Sequence, residues 1–416
     1  MELMPILSTL RRHKTAAGLI VLEVALTCAI VCNALHLINQ RLDRLRADNG
    51  LAESELVTLR VTGIGAVGNV DEVTSQDLQA LRTLPGVREV SINNQVMYGN
   101  SNSVSGVRLQ PNRDGNAVEV SQYSADEHGL TTLGLKLVEG RNFRAEEIVL
   151  DNAFNGPGEN PPRPRQVVIS QALAKRLFPD SSALGKQVYV FGDAPIEVIG
   201  VVQTLGNVHP GPQAQGPNDA GGAGQYGMLL PLRNSYRGAF YVMRVDPTQR
   251  DAVLKAATPV LESIGGKRIV REASTLEEMR SSYYAQDRAM IWLLGGVCVA
   301  LLLVTALGIV GLASFWVQQR TRQIGVRRAL GARRRTILIQ FLTEAALVTM
   351  IGGAIGASLG VVAAAVIDRI SPIGADLSAT AVVGALLFSG LLGLVFGTWP
   401  AYRAAHLDPI DALRFE

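Results

Sequence analysis

The sequence predicts an α-helical membrane protein with four transmembrane helices and one large α/β extracytoplasmic domain. Two observations support this fold class. In the chain of 416 residues, 48% are hydrophobic and only 18% are charged, against about 25% charged in an ordinary globular protein. Long apolar segments also flank a single long polar stretch. The net charge of +3 comes with no nucleic-acid-binding motif, so nucleic acid is not an expected partner.

Four segments are long enough to cross a bilayer, since a spanning helix needs about 20 apolar residues. The first, 16–38, contains Glu23 as its one charge. Its apolar core exceeds the roughly 7 to 15 residues of a signal peptide, so we expect it to be retained. The second is predicted over 289–317, the third over 337–367 with Glu344 in its lead-in, and the fourth over 377–402.

Basic residues beside the spans predict the orientation, because they remain on the cytoplasmic side. Such residues occur in the segments 1–15 and 318–336. Both termini, including the tail 403–416, are therefore expected in the cytoplasm. The domain 39–287 and the short loop 368–376 are expected on the opposite side of the membrane.

Two β-α-β patterns, one near each end of the domain 39–287, are predicted to pair into one split β-α-β sheet. An inserted, mainly β subdomain is expected at about 125–235. Thr74 is predicted to cap the first helix, with Asp77 at the capping-box position. The predicted strands are 56–62, 87–92, 239–245 and 268–271 in the split sheet and 166–170, 187–191 and 196–202 in the insert; the helices are 74–84, 247–264 and 170–178.

A two-helix stalk is predicted between this domain and the bilayer. Apolar residues at alternating spacings of three and four keep one seam along a continuous helix. After the first span they are Leu35, Ile38, Leu42 and Leu45; before the second they are Leu276, Met279 and Tyr283, continuing through Gln286, Met290 and Leu293. The alternative is a pair of ordinary amphipathic helices packed on the domain.

The segment 318–335 combines a short helix, predicted over 320–330, with dense positive charge. Gly331 stands at the position just past the helix end. Ile324, Val326 and Leu330 are expected to make apolar contacts, while the arginines meet acidic groups. The alternative is that these arginines only fix topology and bind anionic lipid headgroups.

Residues 320–348, RTRQIGVRRALGARRRTILIQFLTEAALV, and 399–416, WPAYRAAHLDPIDALRFE, resemble the signatures of the MacB, LolC/LolE and FtsX permeases. These are the four-span subunits of mechanotransmitting ABC transporters. LKLVEGRNF and VVISQALAKRLFPDSSALGKQV are similar to the family's periplasmic insert. Gln323 stands where the family usually has an acid.

The resemblance implies a non-catalytic permease in a bacterial inner membrane, with the domain 39–287 and the loop 368–376 in the periplasm. Its coupling loop would dock on a separate MacB/LolD-like ATPase dimer. ATP and magnesium would bind that partner, and this chain would bind no cofactor. The implied coupling residues are Arg322, Ile324, Gly325, Arg327, Arg328, Ala329, Leu330, Gly331 and Ala332. The other implied partners are membrane lipid, a second permease copy that is identical or related, and a periplasmic adaptor with an outer-membrane factor.

The expected function is export of a small molecule, peptide or lipid-linked cargo. The alternatives are FtsX-like regulation of a periplasmic partner without transport, and LolC/LolE-like lipoprotein release. A membrane-anchored enzyme is not predicted, because the sequence has no P-loop, no catalytic constellation and no metal-ligand spacing among its five histidines and three cysteines. A sensor would require that no ATPase associates.

Two further features of the spans carry hypotheses. Gly352, Gly356 and Gly360, and likewise Gly393 and Gly397, are spaced for close helix packing within one subunit or between two. Glu23 and Glu344 are costly in lipid and are therefore candidates for function. Both lie near the cytoplasmic ends of their spans, so each is expected either to couple protons or to reach water or a neighbouring arginine.

Overall fold

The computed structural model describes residues 14–64, 69–111, 117–156, 161–210, 225–264, 268–370 and 379–406. The chain divides into two compact units. We call residues 46–285 the outer unit, and residues 1–45 together with 286–416 the membrane unit.

The helices are α1 (Lys14–Arg46), α2 (Val70–Arg82), α3 (Gly129–Leu133), α4 (Asp151–Phe154), α5 (Gln171–Leu177), α6 (Arg250–Ser263), α7 (Leu276–Tyr283), α8 (Ala285–Gln319), α9 (Thr321–Ala329), α10 (Arg334–Ile370) and α11 (Ala379–Ala405). The strands are β1 (Leu56–Gly63), β2 (Val87–Asn93), β3 (Val104–Val107), β4 (Val118–Ala125), β5 (Leu137–Gly140), β6 (Val149–Leu150), β7 (Gln166–Ser170), β8 (Gln187–Tyr189), β9 (Pro195–Val202), β10 (Gly227–Arg233), β11 (Phe240–Val245) and β12 (Arg268–Thr275).

Strands from both ends of the outer unit form its first sheet, which is four-stranded in the order β12-β1-β11-β2. All three pairings are antiparallel. The helices α2 and α6 connect β1 to β2 and β11 to β12, so the sheet is the predicted split β-α-β arrangement. Alternating strand residues such as Val57, Leu59 and Tyr241 pack against Leu81 and Leu261 of these helices in one apolar core.

The second sheet of the outer unit is eight-stranded, with a central path β3-β4-β10-β7-β9-β5 and with β6 and β8 paired to its side. It is mixed, because β10 runs parallel to β4 and antiparallel to β7. Leu173 and Leu177 of α5 cover its core. The sheet begins at Val104, about 20 residues before the boundary predicted for the insert, because β3 pairs with β4.

Among the residues that the structure describes, three helices are long and apolar enough to cross a membrane: Gly18–Arg46, Ala285–Gln319 and Arg334–Ala363. The described part of the fourth predicted span lies in α11, and residues 377 and 378 lie outside the described residues. A count of four spans therefore stays a prediction. In the membrane unit, Ile20, Val24 and Cys28 of α1 form a buried cluster with Ile309, Trp316 and Val348.

Two local predictions were wrong. The helix α2 is capped by Asn69, whose side chain accepts a hydrogen bond from the Glu72 N–H, and Thr74 lies inside the helix. The helix expected to run continuously from Leu276 into the second span is divided into α7 and α8, with Tyr284 as the C-cap of α7.

Candidate functional site

The predicted coupling segment forms the short helix α9 and a closed turn after it. Gly331 adopts a left-handed conformation with φ 92°. The Ala332 N–H donates to the Arg327 carbonyl at 3.0 Å, which is the six-to-one bond of a glycine-terminated helix. The predicted helix and its glycine stop are confirmed.

The helix α9 is held to the membrane unit by one apolar residue. Ile324 is buried against Val317 of α8, Ile337 of α10 and Ala404 of α11. The expectation that Val326 and Leu330 make similar contacts was wrong, because their exposed fractions are 43% and 84%. The helix therefore has one anchored face and one open face.

The remaining coupling residues divide between these faces. Gly325 is buried with Ile324, Ala332 is half-buried, and the side chain of Arg328 lies outside the described residues. The exposed members are Arg322, Arg327, Ala329, Leu330 and Gly331. The open face thus presents apolar and basic groups together.

A polar network connects α9 to the second and third spans. Arg320, just after α8, donates from Nη1 to Oε2 of Glu344 at 3.1 Å. Gln340 Nε2 donates to Oε1 of the same carboxylate at 3.4 Å, and Arg327 Nη1 donates to Gln340 Oε1 at 3.3 Å. The side chains of Glu344 and Arg320 are 5% and 14% exposed. Glu344 therefore pairs with a neighbouring arginine, one of the two outcomes expected for it.

The other acid in the spans has a different environment. Glu23 lies on α1 with its carboxylate beside Gly308 of α8, where an added Cβ would come within 2.4 Å of Oε2. Its role stays a prediction.

The predicted packing glycines lie at contacts between helices of the same chain. A Cβ at Gly352 would approach the Val24 side chain to 2.9 Å, and one at Gly356 would approach the Ala25 carbonyl oxygen to 2.3 Å. The contact at Gly360 is looser, at 3.4 Å to Asn33. On α11, a Cβ at Gly393 would meet Thr349 at 2.1 Å, and one at Gly397 would meet Ala345 at 3.0 Å.

The stalk residues before the second span pack on the outer unit itself. Leu276 is buried, and Met279 Sδ accepts a hydrogen bond from Thr58 Oγ1 at 3.4 Å. The Tyr283 ring packs beside Tyr98, with 5.5 Å between centroids. These three side chains therefore form no seam along a continuous helix.

The helices α1 and α8 contact each other through a face of α1 that lies next to the predicted seam. Thr27 and Thr305 share a buried hydrogen bond of 2.8 Å, and Arg41 forms an ion pair with Asp287. Val31 and Ala34 pack against Cys298. Of the predicted seam on α1, Leu35 is exposed, and Ile38, Leu42 and Leu45 are half-buried.

Sequence analysis missed the pairs formed by residues far apart in the chain. The carboxylate of Asp77 is buried and accepts from Tyr241 and Arg268, although spacing alone assigned it to a helix cap. Gln340 and Glu344 did carry a local signal, since residues four apart share a helix face. In the described part of the chain, no group of three or more His, Cys, Asp or Glu residues is placed to hold a metal ion.

A large α/β unit inserted between two long apolar helices, with a short basic helix anchored by Ile324 after the second, is the arrangement of a permease-type membrane protein. The family model for the MacB-like periplasmic core domain matches residues 23–260, and the model for the FtsX-like permease C-terminal domain matches residues 295–409. The chain therefore belongs to the MacB-like family of ABC transporter permeases. It is a membrane protein with an extracellular domain of the MacB periplasmic type.

Curated relatives extend over both domains. The uncharacterized ABC transporter permease YknZ of Bacillus subtilis is 27% identical, over 82% of this chain and 79% of that protein. The macrolide export ATP-binding/permease protein MacB of Bdellovibrio bacteriovorus is 28% identical, over 98% of this chain and 60% of that protein. The crystal structure of the periplasmic region of MacB from Actinobacillus actinomycetemcomitans is 17% identical, with a TM-score of 0.34, over 58% of this chain and 97% of that one.

Proposed function

We propose that this chain is the permease subunit of an ABC transporter whose ATPase resides on a partner chain. Nucleotide binding and hydrolysis in that partner move the membrane helices through the coupling segment 322–332, and the outer unit changes shape in response. The family implies an ATPase partner; the separate chain and the direction of coupling are our inference.

The observation that carries this proposal is the two-faced helix α9. Ile324 contacts the ends of α8, α10 and α11, so a push on α9 reaches three helices at once. On the opposite side, Leu330 is 84% exposed and stands among arginines. An exposed leucine with a basic rim is suited to an apolar pocket bordered by acidic groups, since interface anchors combine burial with charged edges.

Exposed arginines around Gly331 also support a cytoplasmic location for α9, with both termini on the same side of the inner membrane. Labelling in intact cells tests this topology. Cysteine at position 330 should be protected from an impermeant reagent, and cysteine at the exposed outer-unit position 146 should react. Reaction at both positions contradicts the orientation.

The coupling segment is tested by Leu330→Glu in the complex purified with its ATPase. We expect the charge to abolish retention of the ATPase and its stimulated turnover, because a carboxylate cannot enter an apolar pocket without a large desolvation cost. Leu330→Met is the matched control, since it conserves volume and polarity, and it should retain both. Unchanged ATPase retention and turnover in Leu330→Glu would overturn the assignment.

A second variant of the same complex tests the polar network. Glu344→Gln removes the charge that pairs with Arg320 and leaves the open face of α9 intact. We expect the ATPase to remain bound while its stimulation falls, because the helix is less firmly joined to the second and third spans. Normal stimulation would show that the Glu344 network takes no part in coupling.

The favoured process is export of a small molecule, peptide or lipid-linked cargo, with two permease copies in the complex and a periplasmic adaptor leading to an outer-membrane factor. Crosslinking from the outer unit in cells tests this assignment. Recovery of an adaptor supports export. Recovery of a cell-wall amidase would replace export with regulation of a periplasmic enzyme, and recovery of lipoproteins would indicate lipoprotein release.

A further inference from the structure

The outer unit is joined covalently to the rest of the chain at two places, after Leu45 and before Gln286. The residues next to these places are the incoming segment, 47–55, and the outgoing segment, 276–284. The two segments touch within the outer unit. Arg280 forms an ion pair with Glu53 and donates from Nη2 to the Ala47 carbonyl at 3.4 Å.

Tyr98, in the turn after β2, contacts both segments. Its hydroxyl donates to Glu53 Oε1 at 2.9 Å and accepts from Asn49 Nδ2 at 3.0 Å. Its ring lies 5.5 Å from that of Tyr283 and 5.8 Å from that of Tyr284, centroid to centroid. We call Asn49, Glu53, Tyr98, Arg280, Tyr283 and Tyr284 the Tyr98 clasp.

The backbone of Tyr98 is strained. Its φ of 64° makes it the single non-glycine residue with positive φ among the residues described, and aromatic side chains rarely adopt this conformation. The strain is held in place because the Tyr98 N–H donates to the Val208 carbonyl at 2.9 Å and the Gly99 N–H donates to the Val96 carbonyl at 3.1 Å. Strained residues that the surrounding structure fixes occur most often at functional positions.

The Tyr98 hydroxyl remains a hydrogen-bond donor to Glu53. Burial raises the pKa of Tyr98 well above its ordinary value, and the neighbouring Glu53 carboxylate raises it further. The phenol therefore stays protonated and keeps its hydrogen bond to Glu53.

Stability alone is a poor explanation for this arrangement. The side chains of Arg280 and Glu53 are 27% and 14% exposed, and partly exposed pairs contribute little free energy. A glycine at position 98 would adopt the same backbone without strain. The tyrosine is the residue type whose hydroxyl and ring reach the incoming and outgoing segments together.

We propose that Tyr98 is a positioning residue for coupling, which holds the incoming and outgoing segments at a fixed separation so that displacement at either connection is transmitted to the two sheets of the outer unit. The inference rests on the proposed function, in which the membrane helices drive the outer unit.

The first test is hydrogen exchange measured by mass spectrometry on the full chain in lipid nanodiscs. Tyr98→Phe keeps the ring and removes the hydroxyl. We expect exchange in the incoming segment to rise by about tenfold, as loss of a hydrogen bond to a charged group predicts. Exchange in the outgoing segment should rise with it, because Glu53, which loses this hydrogen bond, also pairs with Arg280. Strands β7, β9 and β10 should keep the wild-type rates.

Tyr236→Phe is the matched control. Tyr236 is fully buried in the outer unit, and its hydroxyl has no hydrogen-bond partner among the described residues. Its loss should leave both segments unchanged. If Tyr98→Phe leaves either segment at the wild-type rate, the clasp is overturned whether or not an ATPase is present.

The second test separates positioning from a structural role. Spin labels at the exposed positions 175 and 255, in a chain whose three native cysteines are replaced by alanine, report the distance between the two sheets of the outer unit in the complex with its ATPase. Adding ATP should change this distance in the wild type and change it much less in Tyr98→Phe, with the same amount of ATPase bound. An equal change in both overturns the positioning role. No change in the wild type overturns the proposed function instead, while the exchange experiment still decides whether the clasp exists.

Discussion

The two units of this protein are stabilised in different ways. The outer unit buries charged groups against polar partners, and beside its first sheet Asp77 of α2 meets both Arg268 and Tyr241. The membrane unit depends on close approach between helices at small residues, with neutral polar pairs such as Thr27 and Thr305 between spans and the charged pair of Arg320 and Glu344 beside α9. Water solvates the charged groups of the outer unit when it unfolds, so a charge that is buried on folding needs a partner of opposite charge or a hydrogen bond. In lipid, the backbone hydrogen bonds of each helix are already satisfied, so the fit between helix surfaces determines which helices pack together.

The largest effect is expected from the buried charge of the outer unit. The Arg268 and Asp77 side chains are 2% and 0% exposed. Arg268→Ala should lower the free energy of unfolding of the outer unit by about 3–5 kcal/mol, because it leaves a buried carboxylate without its counter-charge. Hydrogen exchange of the β1 and β11 amides in the full chain measures this loss.

Two controls sharpen this prediction. Arg250→Ala removes the more exposed pair with Glu277 in the same part of the molecule and should cost at most about 1 kcal/mol. Replacing Arg268 by Met together with Asp77→Leu removes both charges and should be much milder than the single change. Equal losses in Arg268→Ala and Arg250→Ala would show that burial does not set the cost.

A pH dependence should distinguish the outer unit from the membrane unit. Asp126 is buried and accepts from Ser91 Oγ at 2.7 Å. Burial raises the pKa of its carboxyl from 3.8 to about 6, with Glu127 raising it and Ser91, His128 and Arg82 opposing the shift. Because the folded pKa is the higher one, Asp126 destabilises the outer unit progressively as pH rises from about 4 to above 6, by up to about 3 kcal/mol.

Asp126→Asn should remove this pH dependence and stabilise the outer unit above pH 6. Its oxygen still accepts from Ser91, so the local contact is conserved. Unfolding followed by exchange at pH 4.5 and pH 7.5 measures the difference. A variant whose stability changes between these two pH values as much as that of the wild type contradicts the assignment.

The smallest effect is expected at a helix contact of the membrane unit. A Cβ at Gly356 would lie 2.3 Å from the Ala25 carbonyl oxygen, a backbone atom that no side-chain rotation relieves. Gly356→Ala should therefore cost about 1–3 kcal/mol. All three tryptophans, Trp292, Trp316 and Trp399, belong to the membrane unit, so tryptophan fluorescence during thermal unfolding reports this unit alone.

Gly295→Ala is the matched control for that experiment, because nothing lies within 4 Å of an added Cβ at Gly295. It should leave the melting temperature unchanged or raise it slightly, as alanine is the better helix former. If both variants melt at the same temperature, close approach at Gly356 is not a determinant of packing.

Patterns confined to a few neighbouring residues predicted much of the fold. A short run of consecutive apolar residues predicted β7 over 166–170 at its observed bounds, and dense arginines followed by a glycine predicted α9. The assignment of Thr74 and Asp77 to a cap was wrong, since the same spacing occurs inside α2. What decides the role of Asp77 is Arg268, which stands 191 residues away in the sequence.

The position of the candidate site in the sequence was predictable, but which face of α9 packs against the membrane unit was not. Charge and glycine placement located α9, but which of Ile324, Val326 and Leu330 is buried depends on Val317, Ile337 and Ala404, contributed by three different helices. The Tyr98 clasp has no local signal at all, because its members come from three separate segments and Tyr98 itself lies in a turn.

Arg41, near the end of α1, forms an ion pair with Asp287, near the start of α8 and 246 positions later in the sequence. The membrane unit therefore has its own contact between the two helices that connect it to the outer unit. Within the outer unit, the hydrogen bond from Arg280 to the Ala47 carbonyl makes the corresponding contact between its first and last segments. Recombination can therefore replace residues 46–285 with a domain of another size without changing the path of the helices in the membrane unit. Such replacement is common for insertions whose two ends are neighbours. The same membrane unit can therefore carry different inserted domains in different lineages.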